Sequence, residues 1–138
     1  MFKKFIPEEN ISSTSQVKNS VQRAIQSQIV TQYPKLEAII DEILPKKLII
    51  MAKCQDHIQL VVVNNEVMFF NQRDGPFFPT LKLLHQYPTM MPMMQVDKGA
   101  VRFVLSGANI MCPGFTSPGG LLPFDVDTEQ PGLIINTL

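Results

Sequence analysis

The apolar positions along the chain fall into blocks of different period. Val17, Val21, Ala24, Ile25 and Ile29 recur at helical spacing, and Ser13 with Gln16 three residues on has the form of a capping box. Together they predict an amphipathic helix over about residues 14–32. Pro34 suits the first position of a second helix, which carries Leu36, Ile39, Ile40 and Ile43 and ends at Pro45. The period then changes. Leu48 to Ala52 reads as a buried strand. Ile58 to Val63, Asn64-Asn65 and Glu66 to Phe70 read as a β-hairpin, because asparagine tolerates the positive φ of a two-residue turn. After a loop over residues 72–76, Pro79 and Thr80 start a short helix bearing Leu81, Leu83 and Leu84, closed before Pro88. Two helices, three strands and a helix make a small α+β unit.

A second pattern begins near residue 97. Asp97 is a good N-cap, and Ala100, Val101, Val104 and Leu105 share one helical face. Gly107 stands where a left-handed residue ends a helix. Ile110-Met111-Cys112 follows as a short strand, stopped by Pro113-Gly114. This arrangement leaves Lys98 and Arg102, four residues apart, on one exposed flank beside a glycine-lined loop where backbone can approach a ligand closely. Between the two patterns, residues 87–94 hold Met90, Met91, Met93 and Met94, which suit an irregular seam between packed units.

Composition changes the picture in three ways. No glycine precedes Gly75, and all seven lie from there on with eight of the eleven prolines, so the second half is built from tight turns. The formal net charge is zero, but all twelve Lys and Arg lie in residues 1–102 against nine acids, a net of +3. The remainder holds only Asp125, Asp127 and Glu129 among charged side chains. A phosphate-binding surface must therefore come from the first three quarters of the chain. Two cysteines are too few for a disulfide framework, which makes a reducing, intracellular compartment the expectation. No apolar run approaches the length of a membrane span, and the N-terminus lacks the apolar core of a signal peptide. No membrane association is expected.

Val96-Asp97-Lys98-Gly99-Ala100, then Leu105-Ser106-Gly107-Ala108-Asn109-Ile110-Met111 and Pro113-Gly114, resemble the opening helix and strand of a PUA domain. That is the RNA-binding module named after pseudouridine synthases and archaeosine transglycosylases. Upstream, "GPFFPTLKLLHQYP" and "MFKKF" narrow the resemblance to the malignant T-cell-amplified sequence 1 family, over roughly residues 1–128. The resemblance implies an α+β chain. A small N-terminal helix and β-hairpin domain, residues 1–92, is followed by an incomplete PUA-type β-barrel in residues 93–138. It implies a cytoplasmic translation factor that pairs with the density-regulated protein and docks on the small ribosomal subunit and its ribosomal RNA. The family's roles are reinitiation, delivery of initiator tRNA by an alternative route, and removal of tRNA during recycling. Residues 129–138 depart from the family pattern and read as a shortened or alternative end. Pro131-Gly132 interrupts any strand begun at Glu129, so this tail is expected to pack loosely and to leave the barrel open, with tRNA contact in doubt. The alternative reading is a protein-interaction module that has lost RNA binding.

The candidate RNA contacts are Lys46, Lys47, Arg73, Lys82, Lys98 and Arg102, since phosphate neutralisation needs several cations on one face. Phe103 is the candidate partner anchor. Cys54-x-x-His57 has the spacing of half a zinc site, but no second pair accompanies it, so no metal and no other cofactor is expected. No nucleophile with an orienting acid is recognisable, and the expectation is a protein that is not an enzyme.

Overall fold

The computed structural model describes residues 5–46, 49–123 and 132–135. It divides the chain into two compact units, Met1–Met90 and Met91–Leu138.

The first unit opens with a single helical turn, α1 (Pro7–Asn10), and strand β1 (Ile11–Gln16). Helix α2 (Asn19–Gln32) follows, then a 3-10 turn at Pro34–Leu36 and the short α3 (Ile40–Ile43). Strands β2 (Ile49–Cys54), β3 (Ile58–Val63), β4 (Glu66–Gln72) and β5 (Phe78–Pro79) lead to helix α4 (Leu81–Gln86). The five strands form one antiparallel sheet in the order β1-β2-β3-β4-β5. The hairpin expected from Asn64-Asn65 is present, with both asparagines at positive φ, 50° and 62°. Its ladder pairs Val63 with Glu66 and Val61 with Phe69, and a bulge lies beside Val62. Thr80 caps α4, its hydroxyl accepting the Leu83 N–H at 3.3 Å.

One expectation fails here. Ser13 and Gln16 are not a capping box: both lie in β1, which pairs Thr14 with Ala52 and Gln16 with Ile50 of β2. The helix starts only at Asn19, after Lys18, and neither Val21 nor Ala24 is buried. A polar six-residue segment becomes a strand because β2 offers it a free edge, a non-local partner that outweighs local spacing. The second predicted helix is also reduced to a turn and one short helix, with Leu36 and Ile43 buried.

The core gathers Ile25, Ile29, Tyr33, Leu36 and Leu44 with Ile49, Val61, Val63, Phe69 and Leu83. Tyr33 stacks near Phe69 with ring centroids 6.4 Å apart, and its hydroxyl donates to the Phe77 carbonyl at 2.6 Å. Gln32 Oε1 accepts the Phe77 N–H at 3.0 Å. The end of α2 is thereby tied to the segment entering β5. Burial pushes the Tyr33 phenol up to about 12.

The second unit contains β6 (Met93–Gln95), α5 (Lys98–Leu105), α6 (Pro113–Thr116) and β7 (Leu133–Ile135). β6 and β7 pair in parallel, Met94 opposite Ile134. The tail expected to pack loosely thus supplies a strand: the Leu133 N–H donates to the Pro92 carbonyl at 2.9 Å, and the Val96 N–H to the Ile135 carbonyl at 3.0 Å. Residues 129–131 and 136–138 lie outside the described residues. Among the described residues no closed barrel forms, and the arrangement is an incomplete PUA-type fold. The strand expected at Ile110 to Cys112 is absent. Cys112 is helical (φ −46°, ψ −43°), and the Gly114 N–H turns back to the Met111 carbonyl at 2.9 Å. Among the described residues no strand pairs with this three-residue run, and an apolar run that short is ambiguous in sequence.

Candidate nucleic-acid interface

The caps of α5 fix what the helix displays. Asp97 Oδ1 accepts the Ala100 N–H at 3.0 Å, as its position in the sequence predicts. A side chain at residue 99 would put its Cβ only 2.9 Å from that carboxylate oxygen, so glycine there gives the cap its room. At the other end Gly107 has φ 86°. Its N–H donates to the Val104 carbonyl, and the Ala108 N–H reaches back to the Phe103 carbonyl, both at 2.9 Å. This pair of bonds is a Schellman motif, and it stops the helix abruptly. The segment that follows is stitched to the start of the helix, for the Asp97 N–H donates to the Gly114 carbonyl at 2.8 Å.

A cleft of about 510 Å³ opens between α5 and this returning segment. Ala100, Val104, Ala108, Ile110, Met111 and Pro113 supply apolar walls, while Asp97, Arg102, Asn109 and Ser117 add polar groups. Lys98 and Arg102 are both exposed. One helical turn apart, their charges are close enough to meet neighbouring phosphates together. The Arg102 guanidinium lies 4.6 Å from the centroid of the Phe103 ring, and Phe103 is 51% exposed. A cation over an aromatic face is held flat, offering a surface on which a base or a partner's side chain stacks. The apolar face of α5 is covered incompletely: no residue of the helix is fully buried and Leu105 is 83% exposed.

The structure brings Lys98, Arg102 and Phe103 onto one helix but does not gather the other candidates around a single point of the first unit. Lys82 is ion-paired with Glu66 at the hairpin end of β4, which leaves its charge partly answered. Arg73 stands past the opposite end of that seven-residue strand, with φ 51°. Lys46 is exposed and lines a small hollow with Asn19, Gln22 and Arg23. Lys47 lies outside the described residues. Sequence reasoning missed Lys53, which joins Arg73 and His57 around a separate cleft. Single lysines in strands carry no local signal of such company. Cys54 is buried, and desolvation raises its thiol above the ordinary value. Among the described residues no group of three potential metal ligands clusters, and Cys54 and His57 do not form part of one.

The model of the Pre-PUA-like domain matches residues 5–88. Over 130 residues the chain is 52% identical to the malignant T-cell-amplified sequence 1 homolog of Dictyostelium discoideum, covering 94% of this chain and 71% of that protein. The Drosophila melanogaster homolog is 56% identical over 131 residues, covering 93% and 72%. This chain belongs to the malignant T-cell-amplified sequence 1 family. A solved relative of the same fold is a hypothetical protein of the archaeon Pyrococcus horikoshii, with a TM-score of 0.58 and 25% identity over 74% of this chain and 64% of that one. Membership of the malignant T-cell-amplified sequence 1 family extends across both units, because the matched 130 residues exceed the first unit by far. No described helix is long and apolar enough to cross a membrane.

Proposed function

We propose that this protein is a translation factor that acts without catalysis on the small ribosomal subunit, with the density-regulated protein as its partner. It contacts ribosomal RNA through Lys98 and Arg102 and supports reinitiation, initiator-tRNA delivery by an alternative route and tRNA removal in recycling, in the cytoplasm. The observation that carries this reading is the 52–56% identity to family members across both units. The exposed pair of cations on a doubly capped helix supplies a physical means. Lys98→Glu with Arg102→Glu reverses two charges on that flank. The double variant should bind purified small subunits about tenfold more weakly at low salt, with a shallower salt dependence and an unchanged circular-dichroism spectrum. Unchanged affinity at low salt would count against the proposal.

A second reading, a protein-interaction module without RNA contact, draws on the exposed Phe103, Leu105 and Met111 beside the apolar cleft. An apolar interface holds as ionic strength rises, whereas phosphate contacts weaken steeply. Subunit binding that is flat with salt and lost in Phe103→Asp selects this second reading.

A further inference from the structure

At one end of the five-stranded sheet, two tight turns lie side by side. The turn between β2 and β3 holds Asp56 and His57 at positive φ, 58° and 57°. The turn after β4 holds Arg73 and Asp74 at 51° and 55°. They are tied together at three points. The Arg73 N–H donates to the His57 carbonyl at 3.0 Å, and Gln72 Nε2 donates to the Asp56 carbonyl at 3.2 Å. Gln59 Nε2 donates to Asp74 Oδ1 at 3.1 Å. The rim is therefore fixed in shape before any ligand arrives.

Between the turns is a cleft of about 380 Å³, lined by Lys53, Cys54, His57, Ile58, Gln59, Arg73 and Asp74. Lys53 and Arg73 are exposed, and neither makes an ion pair with a described residue. Cys54 belongs to a small apolar cluster with Ala52, Leu60 and Ile58, and burial keeps its thiol protonated, so it adds no negative charge. Asp74 is the one acid in the lining, and its carboxylate is engaged by Gln59. The volume is at the small end of the roughly 300–1,000 Å³ usual for small-ligand sites.

We propose that this cleft is an RNA contact of the first unit: Lys53 and Arg73 hold one phosphodiester of a single strand, and the attached base rests against His57 and Ile58. Arginine and histidine planes serve as stacking surfaces for unpaired bases, and a turn-bound guanidinium meets phosphate at low entropic cost. The inference rests on the reading of the protein as an RNA-binding factor and adds a site independent of α5. A nucleoside monophosphate carries the same chemistry, and the test separates the two.

The full chain is titrated with fluorescently labelled oligouridylate while anisotropy is read at several salt concentrations. Lys53→Gln with Arg73→Gln should weaken binding about tenfold at low salt. The log–log salt slope should fall by roughly 0.7, the value for one phosphate neutralised on a single strand. Asp74→Asn, which keeps a residue suited to positive φ, should tighten binding about twofold by removing the like charge. That gain in affinity is an effect a merely structural role for the turn does not produce. Wild-type affinity and slope in the double glutamine variant, or no oligouridylate binding by the wild-type chain, overturns the site. Competition by uridine monophosphate as effective as by the oligomer overturns the RNA assignment. Subunit binding by the wild-type chain is measured alongside. If it holds while oligouridylate fails, the cleft alone is wrong; if it fails while oligouridylate binding responds as above, the site stands and the ribosomal reading falls.

Discussion

In the first unit Ile29, Tyr33, Leu36, Leu44, Ile49 and Phe69 are all sealed from solvent, beneath or within a five-stranded sheet whose β3–β4 ladder is continuous apart from one bulge. In the second unit only Met91 and Val96 are buried among the described residues. Phe103, Leu105, Met111, Leu121, Leu122 and Ile134 are largely exposed there. The two units also hold their helices differently. α2 is fixed by Ile25 and Ile29 in a core, whereas α5 is held chiefly by its caps and backbone bonds. Such a helix draws little on packing, the usual source of helical stability in proteins. The difference teaches where contact surface is available. A unit that displays this much apolar area next to a cation pair is suited to being covered by a partner, whereas the first unit keeps most of its large apolar side chains in its core.

The comparison breaks most readily at Phe69. Its side chain is wholly buried, and Phe69→Ala should cost about 3–5 kcal/mol, lowering the denaturant midpoint of the first unit. A loss under about 1 kcal/mol would mean that the sheet core is not the main support of the fold.

Gly107→Val should have the next largest effect, about 1–3 kcal/mol. Nothing stands within 4 Å of a Cβ at that position, so the penalty is backbone strain at φ 86° and not a clash. Amides of 100–105 should exchange faster with solvent while those of β3 and β4 keep their rates. Equal acceleration in both units would deny that α5 depends on its own caps.

Much of this was legible in the sequence, and the pattern of failures has a physical cause. Asn64-Asn65, Thr80, Asp97 and Gly107 declared their roles because turns and caps are local, set by one residue's φ or one side-chain oxygen. The strand Ile11–Gln16 was hidden: Ile-Ser-Ser-Thr-Ser-Gln has no alternating apolar face, and Ser13 to Gln16 imitates a cap. Only the free edge of β2 decides its structure. Ile110 to Cys112 failed in the opposite sense, having strand-like residues and, among the described residues, no partner strand. In the candidate site, Lys98 and Arg102 were visible because helical spacing places them. The meeting of Lys53 with Arg73, distant in sequence, depends on the register of three strands and leaves no local trace.

Tyr33→Phe sharpens the account of the first unit at smaller scale. Losing the bond to the Phe77 carbonyl should cost about 1 kcal/mol near neutral pH. The wild-type chain should also lose stability at alkaline pH. A phenol near 10 when unfolded and about 12 when folded contributes fully below pH 10, and its contribution is lost as pH rises toward 12. Denaturant midpoints across that window should fall more steeply for the wild type than for the phenylalanine variant. Parallel curves would show that Tyr33 is not buried as described.

The smallest effect is expected at Leu105, 83% exposed. Leu105→Ala should change stability by no more than about 0.5 kcal/mol. A cost comparable with that of Phe69→Ala would erase the contrast between the units.

Hydrogen exchange of the full chain, free and bound to purified small ribosomal subunits, tests most directly the claim that the second unit's open face is the working surface. Binding should slow exchange across 98–112, the segment carrying Lys98, Arg102, Phe103 and Met111, and leave the amides of α2 unchanged. Bound and free rates that coincide across 98–112, with protection arising only elsewhere, would contradict it.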